Sequence, residues 1–126
     1  MPTAREQLRR MVAEREPPSR GIAWAALMEA LGQLEAEARL EEEDVGVLAE
    51  LVARRGRVPL RDVAPVPHCM SPEELVQFRA LRILEGADRL DRVHDSLGFV
   101  ARDAGSPALR ELALRLSLRL GSTTPK

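Results

Sequence analysis

The sequence predicts an all-α protein, a bundle of five or six helices, and three observations support this fold class. Helix-forming residues dominate the chain, whereas alternating β-type patterns are scarce. Apolar residues recur at three- and four-residue spacing through several segments. Serine, threonine or acidic residues stand where helices would begin, and proline or glycine where they would end. The 126 residues fit a single helical domain, which we place at 1–120 and follow with a flexible tail at 121–126.

The first two predicted helices are separated by prolines. Residues 3–6, Thr-Ala-Arg-Glu, form a capping box, in which each of the two outer side chains accepts a hydrogen bond from the other residue's backbone amide. Pro17 and Pro18 end this helix, because neither ring has a backbone N–H to donate. The second helix carries one apolar stripe at positions 24, 27, 31, 34 and 38.

A third helix is predicted from the acidic run 41–44 to Arg54 and Arg55, just before Gly56. Acidic residues at the start and basic residues at the end both suit the helix dipole, and glycine suits the position after the last turn. The next segment, 57–70, holds three prolines among apolar side chains, which excludes a regular helix. We therefore predict a proline-rich packed loop at about 57–70 and regard it as one candidate functional surface.

Serine–proline pairs predict where two later elements begin. Residues 71–74, Ser-Pro-Glu-Glu, supply an N-cap, a proline at the first helical position and an acidic residue at the third. A 4-3 apolar pattern then continues to Ala104, and it is weakened at Gly86 and Gly98, where the helix can kink or break. A second pair, at 106–107, begins the last helix.

The last helix is apolar on two sides. Leu112 and Leu116 belong to one face, whereas Leu114 and Leu118 lie on the opposite face. The alternating leucines would also fit a strand, but serine–proline capping and the lack of β-branched residues favour a helix. A helix with two apolar faces must bury both, either at the centre of the bundle or against another chain.

Composition excludes several classes of function. The net charge is −1, so no overall field attracts nucleic acid or acidic membranes. Cys69 is the one cysteine, which excludes an internal disulfide and a cysteine-based zinc site. Aromatic residues make up 2% of the chain, so stacking platforms for single-stranded nucleic acid or sugars are scarce.

Targeting signals are also missing from the sequence pattern. No apolar run approaches the roughly 18 residues of a membrane span, and the first residues are charged where a signal peptide needs an apolar run. We therefore expect a cytoplasmic protein without membrane contact. Lys126 is the one lysine among many arginines, which indicates a GC-rich, bacterial genome.

Two interpretations of His94 are open. In the first, it is a core-edge histidine bonded to Asp91 or to a backbone carbonyl. In the second, it is reactive, because residues 94–105 resemble the phosphoacceptor helix of histidine-phosphotransfer proteins, with a small residue, Gly98, one turn further on. Leu97 stands where that family usually carries a lysine. The resemblance implies a four-helix bundle in which His94 accepts a phosphoryl group from a receiver domain.

A basic patch raises the alternative of DNA binding. Residues 48–64 resemble the opening of bacterial winged helix-turn-helix domains. The side chains that would contact nucleic acid are Arg54, Arg55, Arg57 and Arg61. The helix that would enter the groove begins at 71–74 with two carboxylates, where phosphates and base edges must approach. A solvated, basic helix end is the simpler interpretation.

These features favour a non-catalytic helical adaptor or complex subunit that acts through protein–protein contacts. The sequence carries no recognisable nucleophilic or acid–base motif, so we predict no catalytic residue, no metal and no cofactor. The expected partner is another protein or a second copy of the chain, rather than nucleic acid. The surplus apolar surface predicted to form the interface comprises Phe78, Leu81, Leu114 and Leu118.

Overall fold

The computed structural model describes residues 6, 8–9, 22–37, 39–53, 60–63 and 71–123. Within these ranges the chain forms five α-helices around one apolar core, which confirms the predicted all-α bundle. The helices are α1 (Trp24–Ala36), α2 (Glu42–Ala53), α3 (Pro72–Gly86), α4 (His94–Asp103) and α5 (Pro107–Thr123). Glu6, Leu8 and Arg9 are also helical, and Leu8 is part of the core.

Helix α3 is the central element of the bundle, because it contacts α1, α2 and α5, while α4 packs mainly against α5. The apolar stripes that the spacing predicted face this core. In α1 the buried members are Trp24, Leu27, Leu31 and Leu34, whereas the fifth predicted position, Ala38, lies outside the described residues. Burial of these large apolar side chains is the dominant stabilising contribution in a domain of this size.

Both serine–proline pairs begin helices, and one carboxylate joins them. Ser71 and Glu74 form the predicted capping box, with each side chain 3.2 Å from the other residue's amide nitrogen. The second oxygen of Glu74 accepts a hydrogen bond of 2.6 Å from the backbone N–H of Ser106, whose hydroxyl accepts from Leu109 N at 3.4 Å. Glu74 and Ser106 are both buried, so the starts of α3 and α5 are fixed to each other inside the protein.

A partly buried ion pair attaches the N-terminal helical residues to α2. Nε and Nη2 of Arg9 lie 2.9 and 2.7 Å from the same carboxylate oxygen of Asp44, which is 2% exposed. Glu41 and Glu43 lie within 3.3 Å of the same guanidinium but are largely exposed. Hydrogen bonding to Asp44 is the main cause that raises the pKa of Arg9 above its usual range. The acidic residues predicted at 41–44 therefore bind Arg9, in addition to interacting favourably with the helix dipole.

The long 4-3 pattern beyond Ser71 is divided between two helices. Helix α3 ends at Gly86, a 3-10 turn spans Leu90–Val93, and α4 follows. Asp88 has φ 57°, the left-handed conformation, and its N–H bonds to Glu85 O at 3.1 Å, while Arg89 N–H bonds to Leu84 O at 2.9 Å. This pair of bonds is a Schellman motif, which satisfies the last carbonyls of the helix. The break therefore lies next to Gly86, whereas Gly98 sits inside α4 without interrupting it.

Charged side chains fix this turn to α2 from outside. Arg89 donates to both carboxylate oxygens of Glu42, at 2.5 and 3.2 Å, and to Asp91 at 3.1 Å. Hydrogen bonding to Arg89 lowers the pKa of Glu42 and of Asp91. Since these groups are exposed, solvent screens the pairs and their contribution to stability is small.

The structure differs from the sequence prediction at two boundaries. Within the predicted loop at 57–70, Leu60–Arg61 forms a two-residue strand that pairs in parallel with Ile22–Ala23, whereas 57–59 and 64–70 lie outside the described residues. Helix α5 extends to Thr123, three residues past the predicted end of the helical domain at 120. Proline disfavours helical geometry in the residue before it, so Pro125, rather than Gly121, marks the end of the helix-compatible sequence.

Candidate protein-interaction surface

A surface groove lies between α3 and α5, and three of the four predicted interface residues line it. Its volume is about 530 Å³. We call it the α3–α5 groove, and its described lining residues are Phe78, Arg82, Ala108, Glu111, Leu112, Leu114, Arg115 and Leu118. Helical spacing predicted Phe78, Leu114 and Leu118 as surplus apolar surface, and in the fold all three line the α3–α5 groove.

The apolar exposure of the groove comes from the outer side of α5. Leu114 is 53% exposed and Leu118 is 66% exposed, although most leucines of the described core are fully buried. The inner side of the same helix is buried through Leu109, Leu112, Ala113 and Leu116. Of the two alternatives for a helix with two apolar faces, the structure therefore excludes a fully enclosed position in the bundle. The outer face remains available to another chain.

Leu81 is the predicted interface residue that the structure places elsewhere. It is fully buried and belongs to the core, so it cannot contact a partner. The physical reason is the central position of α3, whose apolar residues face three neighbouring helices. Phe78, one turn earlier, is only partly buried and reaches the groove.

Arginines form most of the charged rim of the α3–α5 groove. Arg82 and Arg115 line it together with Glu111. Glu85 lies beside the rim, 3.9 Å from Arg82, 3.6 Å from Arg115 and 3.4 Å from Arg119. One half-buried carboxylate is thus shared by three partly exposed arginines, and the rim carries an excess of positive charge.

His94 lies on the surface, which contradicts its interpretation as a core-edge histidine. It is the first residue of α4, its side chain is 66% exposed, and Nδ1 lies 3.5 Å from Asp95 rather than from Asp91. Leu90, Val93 and Leu97 are all buried, so Val93, rather than His94, takes the core position between the two leucines. Gly98 follows one turn later, and a Cβ at that position would meet no atom within 4 Å. Phosphotransfer through His94 stays a prediction.

The residues predicted to contact DNA fall mainly on the part of the chain that the structure does not describe. Arg54, Arg55 and Arg57 lie outside the described residues, and for Arg61 only the backbone of its short strand is described. Glu74 is one of the two carboxylates that made this helix unsuited to entering a DNA groove. It is buried, so it does not face solvent. DNA binding also stays a prediction.

Two features of the surface, the exposed Phe99 and the charged rim of the groove, were not predicted from the sequence. Phe99 of α4 is 62% exposed, and the guanidinium of Arg102 lies 5.4 Å from its ring centre. The sequence did not assign Phe99 to the surface, because it did not locate the break between α3 and α4. Arg82 and Arg115, by contrast, follow Phe78 and Glu111 by four residues, so helical spacing alone would have placed each pair on one face.

Over the described ranges, no helix is both long and apolar enough to cross a bilayer. The same part of the chain contains no group of three or more histidine, cysteine, aspartate or glutamate side chains arranged to hold a metal ion. Comparison of the chain with models of protein families, with curated proteins and with solved structures gives no match.

Proposed function

We propose that the protein is a non-catalytic helical adaptor, or a subunit of a complex, that binds a partner protein through the α3–α5 groove. The observation that supports the proposal is the joint exposure of Leu114 and Leu118 beside Phe78 in one groove. Exposed apolar side chains that are contiguous and bordered by polar residues are typical of protein interaction sites. We place this activity in the cytoplasm, as the sequence predicts.

The spacing of the apolar side chains in the groove suits an α-helix as the binding partner. Leu114 and Leu118 are four residues apart on one helix, so they are separated by about 6 Å along its axis. A groove between two helices that presents apolar side chains at this spacing matches the i, i+3, i+4 anchors of an amphipathic helix. Ala108 near the start of α5 leaves room for a large anchor side chain from the partner.

Charge favours a different chain over a second copy. Helix α5 carries Arg110, Arg115 and Arg119 but only one acidic residue, Glu111. Two copies that met through this helix would bring two positive surfaces together, which costs free energy. A helix with an apolar stripe and acidic flanks would meet both the leucines and the rim of Arg82 and Arg115.

Replacing Leu114 and Leu118 together by glutamine is expected to weaken partner binding at least about 10-fold, because buried apolar anchors at the centre of an interface carry most of its energy. We expect the double variant to remain folded, since a substitution at an exposed position changes the free energy of unfolding by about 0.5 kcal/mol or less. Binding is measured by recovery of the tagged protein with its partner from the cells that naturally produce it.

Phe99→Gln is the matched control, because it removes an exposed apolar side chain that lies outside the α3–α5 groove. It should leave recovery of the partner unchanged. Equal recovery with the double variant and the wild-type chain would refute the proposal, as would equal losses in the double variant and in Phe99→Gln.

A further inference from the structure

Helices α3 and α5 run in the same direction along the α3–α5 groove. Near their starts, Glu74 accepts the hydrogen bond from Ser106 N at 2.6 Å. Towards their ends, Glu85 lies 3.6 Å from Arg115 and 3.4 Å from Arg119. The groove therefore has two distinct ends, which we call its N-terminal end and its C-terminal end after the direction of both helices.

Charge is distributed unevenly between these two ends. Glu111 is the one acidic residue among the described lining residues, and it lies on the second turn of α5, near the N-terminal end. Arg82 and Arg115 line the groove further along, and Arg119 follows one turn after Arg115. Three arginines against the one carboxylate of Glu85 give the C-terminal end a net charge of +2. Each helix end offsets only about half a unit of this charge, so the C-terminal end stays positive.

The contacts of Glu85 leave its arginine neighbours able to bind further carboxylates. The three nitrogen–oxygen distances are 3.4 to 3.9 Å, longer than the roughly 2.7–2.9 Å of a strong charge-assisted hydrogen bond. A guanidinium has five N–H donors, so Arg82 and Arg115 retain donors that Glu85 does not engage. Both arginine side chains are more than half exposed, at 58% and 60%, and a partner can reach them. Glu85 also lies in the last turn of α3, where the helix dipole disfavours an acidic side chain.

We infer that the arginines at the C-terminal end of the groove bind a cluster of carboxylates at one end of the partner helix, and that Glu85 competes with these carboxylates. The inference rests on the proposed function and adds an orientation to it. The apolar anchors of the partner contact Leu114 and Leu118, while its acidic end lies beside Arg82 and Arg115 and away from Glu111. Arginine suits this role because its planar guanidinium binds a carboxylate through two parallel hydrogen bonds.

Glu85→Gln tests the competition directly, because it removes the internal carboxylate and keeps the shape of the side chain. Titration of the full chain with the partner protein, purified from the cells that naturally produce both, should show about 2- to 5-fold tighter binding, the effect of one exposed ion pair. Glu111→Gln removes the same charge at the other end of the groove and should tighten binding less. Asp95→Asn, on an exposed side chain outside the groove, controls for net charge and should leave the affinity unchanged. No gain in Glu85→Gln, or an equal gain in either other variant, would overturn the inference.

Replacing Arg82 and Arg115 together by glutamine should weaken binding about 3- to 10-fold and reduce its dependence on NaCl concentration, because two ion pairs with the partner are lost. The double glutamine variant of Leu114 and Leu118 should also weaken binding but keep the salt dependence. If only the leucine variant loses affinity, the inference fails and the proposed function stands. If neither variant loses affinity, or if the cells yield no partner, both fail.

Treating the partner with a phosphatase distinguishes carboxylates from phosphate groups, which arginine binds equally well. The affinity should not change, because the inferred ligands are aspartate or glutamate side chains. A loss of affinity after this treatment would show that phosphate occupies the C-terminal end of the groove and would overturn the inference.

Discussion

Replacing Glu74 by alanine is expected to lower the free energy of unfolding by about 3 kcal/mol, because this buried carboxylate serves the starts of two helices. One oxygen accepts from Ser71 N and the other from Ser106 N. Without the side chain both amides lose their acceptor, and Ser106 is only 1% exposed, so water cannot replace it. A lost cap costs about 1 kcal/mol, and an unsatisfied buried donor adds about 1–3 kcal/mol.

Urea unfolding followed by circular dichroism measures this effect, and two variants calibrate it. Glu73→Ala removes a neighbouring carboxylate from the same helical turn and should cost less than about 1 kcal/mol, since only the dipole interaction is lost. Glu74→Gln should be intermediate, because an amide offers one acceptor where the carboxylate offers two. A loss in Glu74→Ala no larger than that in Glu73→Ala would show that the carboxylate does not join α3 to α5.

Arg9→Met is the second substitution with a large expected effect, a loss of about 2–3 kcal/mol in the free energy of unfolding. It leaves the carboxylate of Asp44, 2% exposed, without the guanidinium that bonds one of its oxygens twice. Breaking a fully buried pair costs about 3–5 kcal/mol, and the estimate is reduced here because the Arg9 side chain is 24% exposed. Methionine retains most of the apolar contact of the arginine stem.

The same unfolding measurement distinguishes the buried pair from its exposed neighbours. Glu43→Gln breaks a contact of 3.3 Å between Arg9 and a carboxylate that is 64% exposed, and it should change stability by less than about 0.5 kcal/mol. Adding Asp44→Asn to Arg9→Met should recover at least half of the loss, because the carboxylate charge that Arg9 balances is then removed together with the arginine. Equal effects of Arg9→Met and Glu43→Gln would contradict a buried pair.

The parts of the fold that could be predicted from the sequence are those that local chemistry determines. Ser71 and Glu74 stand three residues apart, and each needs only the other to complete the capping box. The apolar residues on two sides of α5 likewise indicated that each face packs against another part of the bundle or against another chain. Leu114 lies on the face that the bundle leaves exposed. Short-range spacing therefore predicted the helix starts and three of the apolar residues that line the α3–α5 groove, Phe78, Leu114 and Leu118.

The break between α3 and α4 could not be located in the same way. The apolar spacing continues from Ile83 through Leu90 to Leu97, so periodicity alone does not distinguish one long helix from two. The decisive residue is Asp88, in a left-handed conformation that glycine adopts more readily, although Gly86 lies two positions away. His94 was placed on the buried face between Leu90 and Leu97, a position that Val93 occupies instead.

Long-range contacts account for the remaining differences. Leu81 is buried because α3 lies between other helices, which no pattern within α3 reveals. The hydrogen bond from Gln77 to Val52 joins residues that are 25 positions apart, so no local pattern in the sequence indicates it.

The most direct test of a protein-binding groove is site-specific photocrosslinking at its centre. Leu118 is replaced by the photoreactive residue p-benzoylphenylalanine, Phe99 is replaced likewise as a control, and both proteins are irradiated in the cells that naturally produce the chain. We expect a discrete adduct with a different protein from position 118 and not from position 99, with the crosslink in an apolar helix flanked by acidic residues. No adduct from position 118, an adduct only with a second copy of this chain, or the same adduct from both positions would contradict the proposed function.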